Sequence, residues 1–234
     1  MKLKFTLYII KTVITFLLIV IISSHYILNI REYYENSENN DPSPPEPPSI
    51  HVLLATMGKD SIFTILESFK KQLNKSDYLT IVFDGPDLPN VEKVKEYVSN
   101  FNAKTNVIVE KKNLGYWGHA IRNKHNTLTG DFVFHVDDDD NITPGAMDKI
   151  RKTCTDKDTI YIFKMQNNEN ILWKKKEIRH TNIGTPMGII PTKLNSTSVF
   201  TYKYGGDYDF YKKLEKDGNK IEFVDYIIYK IKNM

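Results

Sequence analysis

Residues 130–147 read GDFVFHVDDDDNITPGAM. A short apolar run, Phe132 to Val136, ends on four consecutive aspartates, Asp137 to Asp140, and Asn141, Thr143 and Pro144 then open a new element. Adjacent carboxylates repel one another, and fixing four of them at the end of a strand costs free energy unless a cation neutralises them. Hard divalent ions such as Mg²⁺ or Mn²⁺ take oxygen ligands and keep positions open for phosphates. The alternative is an acidic surface loop, because loops favour aspartate. The abrupt junction with a buried-type strand favours the site.

Outward from this stretch, apolar strand-like runs alternate with helix-like ones. His51–Thr56 and Leu79–Phe83 read as buried strands, Asn106–Val109 as a third and Asp131–Val136 as a fourth. Between them, Ile62, Ile65, Leu66, Phe69 and Leu73 have helical spacing, as do Val91, Val94, Val98 and Phe101, and Gly118–Leu128 suits a third helix. This alternation predicts a parallel, doubly wound α/β sheet, which binds ligands beyond the carboxyl ends of its strands. Thr56, Asp84 and Asp137 all fall at such ends. After the aspartates the pattern predicts a helix from Pro144, strands at 159–165, 171–178 and 187–191, a helix at 208–214 and a final strand at 220–226.

The N-terminus differs in kind. Phe5–Ile30 is nearly continuously apolar, with Lys11 close enough to one end to snorkel. Lys2 and Lys4 precede it, while Glu32, Glu35, Glu38 and Asp41 follow. The lysines predict a cytoplasmic N-terminus, with the rest of the chain lumenal or extracytoplasmic, the type II arrangement. A retained signal anchor fits better than a cleaved signal peptide, because the run is long and Ser23-Ser24-His25 is a poor cleavage site. Asn36–Ser49 holds five prolines and no apolar residue, which makes a semi-rigid stalk. The expected domains are therefore a tip and membrane anchor at 1–31, a stalk at 32–49 and a folded domain at 50–234.

Composition narrows the functional classes. Of the 32 cations only four are arginine, and the net charge of +3 does not argue for nucleic acid. The single cysteine, Cys154, excludes an intrachain disulfide and a cysteine-based zinc cluster. No P-loop, nucleophile elbow or Ser-His-Asp pattern occurs. An EF-hand would need glycine where Ile142 stands and glutamate where Asp148 stands. His119, His125, His135 and His180 lack partners at metal-ligand spacing and read as structural, and Trp117 and Trp173 serve either stacking or core roles. Arg122 suits either a diphosphate or a salt bridge. Asp84 suits either a turn or a nucleoside contact, and Asp207 and Asp209 either cap a helix or act on an acceptor hydroxyl. Asn74, Asn141 and Asn195 begin N-glycosylation acceptor patterns.

Taken together, four segments resemble glycosyltransferases of the Rossmann-like GT-A fold, most closely the family 2 inverting group. They are HVLLATMGKDSIFTILESFKKQ (51–72), LTIVFDGPD (79–87), NLGYWGHAIRNKHNTLTGDFVFHVDDDDNITPGAM (113–147) and GGDYDFYKKLEKDG (205–218). They are similar, in order, to the family's opening strand and helix, its nucleoside-binding aspartate, its Ala-Arg-Asn and Asp-x-Asp series, and its catalytic-base helix. The resemblance implies that Thr56 and Asp84 hold the nucleoside of a UDP-, GDP- or dTDP-sugar and that Arg122 lies near its diphosphate. Asp137 and Asp139 would form the Asp-x-Asp pair, with Asp139 or Asp140 ligating Mn²⁺ or Mg²⁺ and Asp137 assisting. Asp207 would be the general base, and transfer would invert the anomeric centre onto a glycan, glycoprotein or lipid-linked acceptor. The family's glutamate before the base is Gly206 here, which leaves Asp209 as a rival base. Asp138 occupies the variable position and reads as dispensable. No Gln-x-x-Arg-Trp series follows, so transfer of a single sugar is expected rather than processive synthesis, with the 182–186 loop on the acceptor side. A non-catalytic binding module of the same fold and a metal-dependent phosphoryl enzyme are the competing readings.

Overall fold

The structure, a computed structural model of the chain, describes residues 2–38 and 46–231. Two compact units meet in sequence at Glu46–Pro47. The first contains helix α1, Lys2–Glu38. Within it, Ile14–Glu32 is long and apolar enough to cross a membrane. The helix runs on past Arg31, where the stalk was expected, because Glu32, Glu35 and Glu38 favour helix and no glycine or proline intervenes before Pro42. Residues 39–45 of that stalk lie outside the described residues.

In the second unit, strands β1 (Ile50–Thr56), β2 (Tyr78–Phe83), β3 (Lys104–Val109) and β4 (Phe132–Asp137) pair in parallel in the order β3-β2-β1-β4. Helices α2 (Ile62–Lys70), α3 (Val91–Val98) and α4 (His119–Lys124) connect them. All seven residues of β1 are buried, as expected for a central parallel strand covered on both faces. Ile50, Val52 and Leu54 face the main core with Ile65, Leu66 and Phe69 of α2. Leu53 and Ala55 face a smaller cluster closed by Ile121 of α4. Edge strand β3 instead exposes Lys104 and Asn106, which blunts the edge.

The sheet continues with β5 (Asn141–Ile142), β6 (Thr159–Asn167), β7 (Asn170–Leu172), β8 (Gly188–Pro191) and β9 (Lys220–Ile231). Helices α5 (Ala146–Thr153), α6 (Thr192–Asn195) and α7 (Gly206–Lys216) accompany them. The fully parallel sheet expected from the sequence holds only for the first four strands. Strand β8 runs antiparallel to both β4 and β6, while β6 and β9 are parallel. Between β6 and β8 the chain makes a hairpin, a loop and one 3₁₀ turn, Thr185–Met187, with no crossover helix of the kind that usually joins parallel neighbours. The strand expected at 171–178 stops at Leu172. There Trp173 is buried, and the Asn182 side chain, rather than a ladder, bonds the backbone of Lys174, Lys175 and Glu177.

At the amino ends of the strands, Asp77 is fully buried and accepts from Ile50 N and Asn74 N, each at 2.9 Å, and from Arg151. This carboxylate joins β1, the approach to β2 and α5 at one point. Truncating one partner of a buried ion pair leaves the other uncompensated. Asp77→Ala should therefore destabilise the fold by about 3–5 kcal/mol in urea unfolding followed by tryptophan fluorescence, which buried Trp173 reports. An unchanged midpoint would show that this junction does not carry the fold.

Candidate active site

The register brings three expected site residues to adjacent strand ends. Thr56 lies beside Phe83, one residue before Asp84, and Ala55 lies beside Asp137. Asp84 N also donates to Thr56 O at 2.9 Å. A cavity of about 340 Å³ opens there, lined by Thr56, Asp84, Trp117, Asp137, Asp138 and Asp139, among others. The Asp84 carboxylate accepts from Leu114 N at 2.6 Å and Gly115 N at 2.9 Å, while Asn113 Nδ2 donates to its carbonyl at 2.9 Å. Asp84 thus shapes the 113–115 loop as well as facing the cavity.

Asp138 departs from its sequence reading. Its carboxylate accepts from Thr56 Oγ1 at 2.5 Å and Met57 N at 3.2 Å, and Gly58 N donates to the same hydroxyl at 2.8 Å. Burial and the charges of Asp139 and Asp137 raise its pKa against the Thr56 bond. The residue read as dispensable therefore clamps the β1–α2 loop at the cavity wall.

Arg122 is also corrected. It is 1% exposed, and its guanidinium points inward, donating to Trp117 O at 2.9 Å, Val136 O at 3.1 Å and Asp137 Oδ1 at 2.5 Å. It is absent from the cavity lining, and its bonds go to Asp137 and two carbonyls of the chain. Gly118 makes this possible: with φ +77°, a Cβ there would sit 2.8 Å from Ala55 Cβ and 2.9 Å from Arg122 Nη1. Tyr116 and Trp117 adopt φ of +57° and +51°, a strained conformation for residues with side chains. The Arg122 bond and a 4.6 Å stack of Tyr116 on Tyr202 hold them there. Trp117 consequently stands 67% exposed at the cavity mouth, whereas Trp173 is in the core.

The remaining aspartates separate. Asp140, expected as a possible metal ligand, is buried beside the Tyr229 hydroxyl and outside the cavity lining. Asp139 faces the cavity with no hydrogen-bond or ion-pair partner among the described residues. No group of three or more His, Cys, Asp or Glu is placed to hold a metal among those residues. Asp139 and Asp137 fit a divalent ion only of the kind that takes one or two carboxylates and completes its shell with phosphate oxygens and water, as Mg²⁺ and Mn²⁺ do.

A second cavity, about 190 Å³, shares Trp117 and Asp137 with the first and is also lined by His119, Thr185, Tyr204 and Asp207. Burial raises the Asp207 pKa, against the hydrogen bond from Tyr208 N at 2.8 Å and the nearby His119. Asp209 is engaged elsewhere. It accepts from Thr201 Oγ1 at 2.5 Å and Lys203 Nζ at 2.8 Å, and these bonds lower its pKa. His119, read from sequence as structural, lines this cavity, bonds Thr201 O at 3.0 Å and stacks on Phe200 at 5.3 Å. Burial and the Arg122 charge lower its pKa. The glycine at 206 then has a steric reason, because a Cβ would lie 2.7 Å from the His119 ring and 2.2 Å from Thr201 O. No local sequence signal marks His119, since its partners lie about eighty residues away.

The expected structural roles of His125 and His135 go with internal partners, Glu110 and Asn195, and His51 likewise bonds Thr80. Asn195 is 1% exposed and also donates to Asn126 O at 2.9 Å, so its acceptor pattern is closed to a glycan.

No family model matches the chain, and none of the curated proteins is similar to it in sequence. Solved structures are similar in fold. Residues 1–349 of S. aureus TarS match with a TM-score of 0.63 over 78% of this chain and 60% of theirs, at 23% identity. The same TarS fragment in complex with UDP-GlcNAc gives 0.64 over 80% and 59%, at 21% identity. The mannosyltransferase PcManGT from Pyrobaculum calidifontis, in complex with GDP-Man and Mn²⁺, gives 0.61 over 91% and 66%, at 13% identity. The chain thus matches about 60% of the length of the TarS fragment. Its fold is the GT-A glycosyltransferase fold.

Asp138→Ala should free the Thr56 hydroxyl and the Met57 amide, lowering stability by about 1–3 kcal/mol in urea unfolding. A variant as stable as the parent would restore the reading of Asp138 as dispensable.

Proposed function

We propose that the second unit is a metal-dependent glycosyltransferase that moves one sugar from a nucleoside-diphosphate sugar to a glycan, glycoprotein or glycolipid acceptor, with inversion. One observation carries this reading. Two cavities share Asp137 and Trp117 as a common wall, with Asp139, which has no partner among the described residues, in one and a half-buried carboxylate of raised pKa, Asp207, in the other. The structural neighbours in complex with UDP-GlcNAc and GDP-Man support a nucleotide-sugar donor.

In this reading Thr56 and Asp84 bound the nucleoside end of the larger cavity, and Trp117 covers the sugar where the two cavities meet. Asp139 and Asp137 would hold the divalent ion, which would supply Lewis-acid neutralisation of diphosphate charge. Arg122 keeps the Asp137 carboxylate aimed. Asp207 takes the proton from the acceptor hydroxyl as that oxygen bonds to the anomeric carbon, and the bond from that carbon to the diphosphate oxygen breaks on the opposite face. His119, held neutral at physiological pH by burial and by Arg122, adds no competing positive charge beside the base. Helix α1 is proposed to anchor the chain with its N-terminus in the cytoplasm.

A donor screen over UDP-, GDP- and dTDP-sugars with and without Mn²⁺ tests the reaction. Asp139→Asn should remove metal-dependent donor binding, whereas Asp207→Asn should spare it and slow transfer by about 10²–10⁴-fold. The base acts as the carboxylate and burial favours the neutral acid, so transfer should fall on the acid side at a pH above the ordinary aspartate range. Full activity in Asp207→Asn, or no donor binding to the parent, would sink the assignment. Protease protection of sealed vesicles checks topology, and cleavage of the 47–234 unit from the cytosolic face would reverse the orientation.

A further inference from the structure

The loop after β7 carries a concentration of positive charge that the reaction at Asp137–Asp139 does not use. Residues 174–179 read KKKEIR, a formal charge of +3, equal to the net charge of the whole chain. Lys174, Lys175, Lys176 and Arg179 are all exposed. Arg179 reaches Glu177 at 3.6 Å, and the three lysines form no ion pair among the described residues. Lysines this close repel one another and would spread apart on a free loop.

This loop is held. Asn182, 8% exposed, accepts from Lys174 N at 2.8 Å and donates to Lys175 O and Glu177 O, each at 2.9 Å. Beneath it, Trp173 is 5% exposed and donates to Ile162 O at 3.1 Å. A buried amide with its donors and acceptor satisfied by the loop backbone fixes where the cations stand. Lys174, Lys175, Arg179 and Thr181 line a hollow of about 250 Å³, together with one carboxylate, Glu177, which leaves the cations in excess. Thr181 also lines a hollow of about 110 Å³ with His180, Tyr204 and Asp207, and Tyr204, Gly205 and Asp207 are shared in turn with the His119 cavity. Through these shared residues the hollows adjoin in series, a groove of shared walls from Asp137 and Trp117 past Asp207 to the cationic loop. Tyr204, 80% exposed, stands along it.

We propose that this groove receives the acceptor and that the acceptor is an anionic glycan. Its phosphate or carboxylate groups pair with Lys174, Lys175 and Arg179 while a sugar hydroxyl reaches Asp207. The donor diphosphate belongs at the other end, at Asp139, so it does not account for these cations. Flat aromatic faces such as Tyr204 suit sugar rings, and fixed cations at the far end select charge. The role of the hydroxyl at Asp207 rests on the glycosyltransferase reading, whereas recognition of the anion does not.

The test is binding by the full-length chain in a neutral detergent, with three probes of similar length: oligogalacturonate for carboxylate, a phosphomannan oligosaccharide for phosphate and maltoheptaose as the neutral control. At least one anionic probe should bind about tenfold or more tightly than maltoheptaose, and high salt should erase the difference. The triple variant Lys174→Gln, Lys175→Gln, Arg179→Gln should lose that preference and keep UDP and GDP binding. Lys175→Glu alone, which leaves the Asn182 bonds in place, should reproduce most of the loss. Equal affinity of the parent for charged and neutral probes, or an unchanged preference in the triple variant, overturns the proposal. So does binding of phosphatidylglycerol vesicles through these residues when neither anionic glycan binds. In the parent, no glycan preference with nucleotide binding intact counts against the groove alone, while absent nucleotide binding with the preference intact counts against the glycosyltransferase reading alone.

Discussion

Arg122 and Asp137 form the contact on which the site depends. A guanidinium with 1% exposure cannot shed its charge, so its environment must supply acceptors, and it finds them in Asp137, Val136 O and Trp117 O. Those three acceptors belong to the end of β4 and to the turn that opens α4. One buried cation therefore ties the aspartate-bearing strand to the left-handed Tyr116-Trp117 turn and fixes which carboxylate oxygen of Asp137 remains for the cavity.

The other aspartates are sorted by the same rule, that a carboxylate near the interior takes whatever donors lie close. Asp138 is spent on Thr56 and Met57, Asp84 on the Leu114 and Gly115 amides, and Asp140 beside Tyr229. Asp139 is the member left facing the cavity without a partner among the described residues. Across Trp117 and Asp137, Asp207 is buried enough for its pKa to rise, while Asp209, two residues on, is drawn down by Thr201 and Lys203. Two carboxylates on one helical turn are thus driven in opposite directions by their surroundings. The close packing of His119 against Gly206 belongs to the same arrangement, since a side chain at 206 would push that ring away from the Asp207 cavity.

The order of strands and helices was legible because burial imposes a period on the sequence. Both faces of β1 are covered, so it reads as one apolar run, and α2 shows Ile62, Ile65, Leu66 and Phe69 at helical spacing. The placement of Thr56, Asp84 and Asp137 at neighbouring strand ends followed from the same alternation. The direction of β8 was not legible, because its four buried residues look alike in parallel and antiparallel neighbours. The end of β7 was hidden for a similar reason: Trp173 and Ile178 are buried, yet Asn182, several residues on, takes the backbone bonds that a strand would have used.

Sequence alone, then, determined the class of fold, the cluster of carboxylates at a strand end, and the presence of an acid at the start of α7, because each depends on residues close together along the chain. Only the tertiary structure decided which carboxylates stay open and which are consumed, that Arg122 turns inward, and that His119 fills the space beside Gly206. Those outcomes depend on which donors and acceptors lie within about 3 Å after folding, and their partners are distant in sequence: Thr56 for Asp138, Tyr229 beside Asp140, Thr201 for His119.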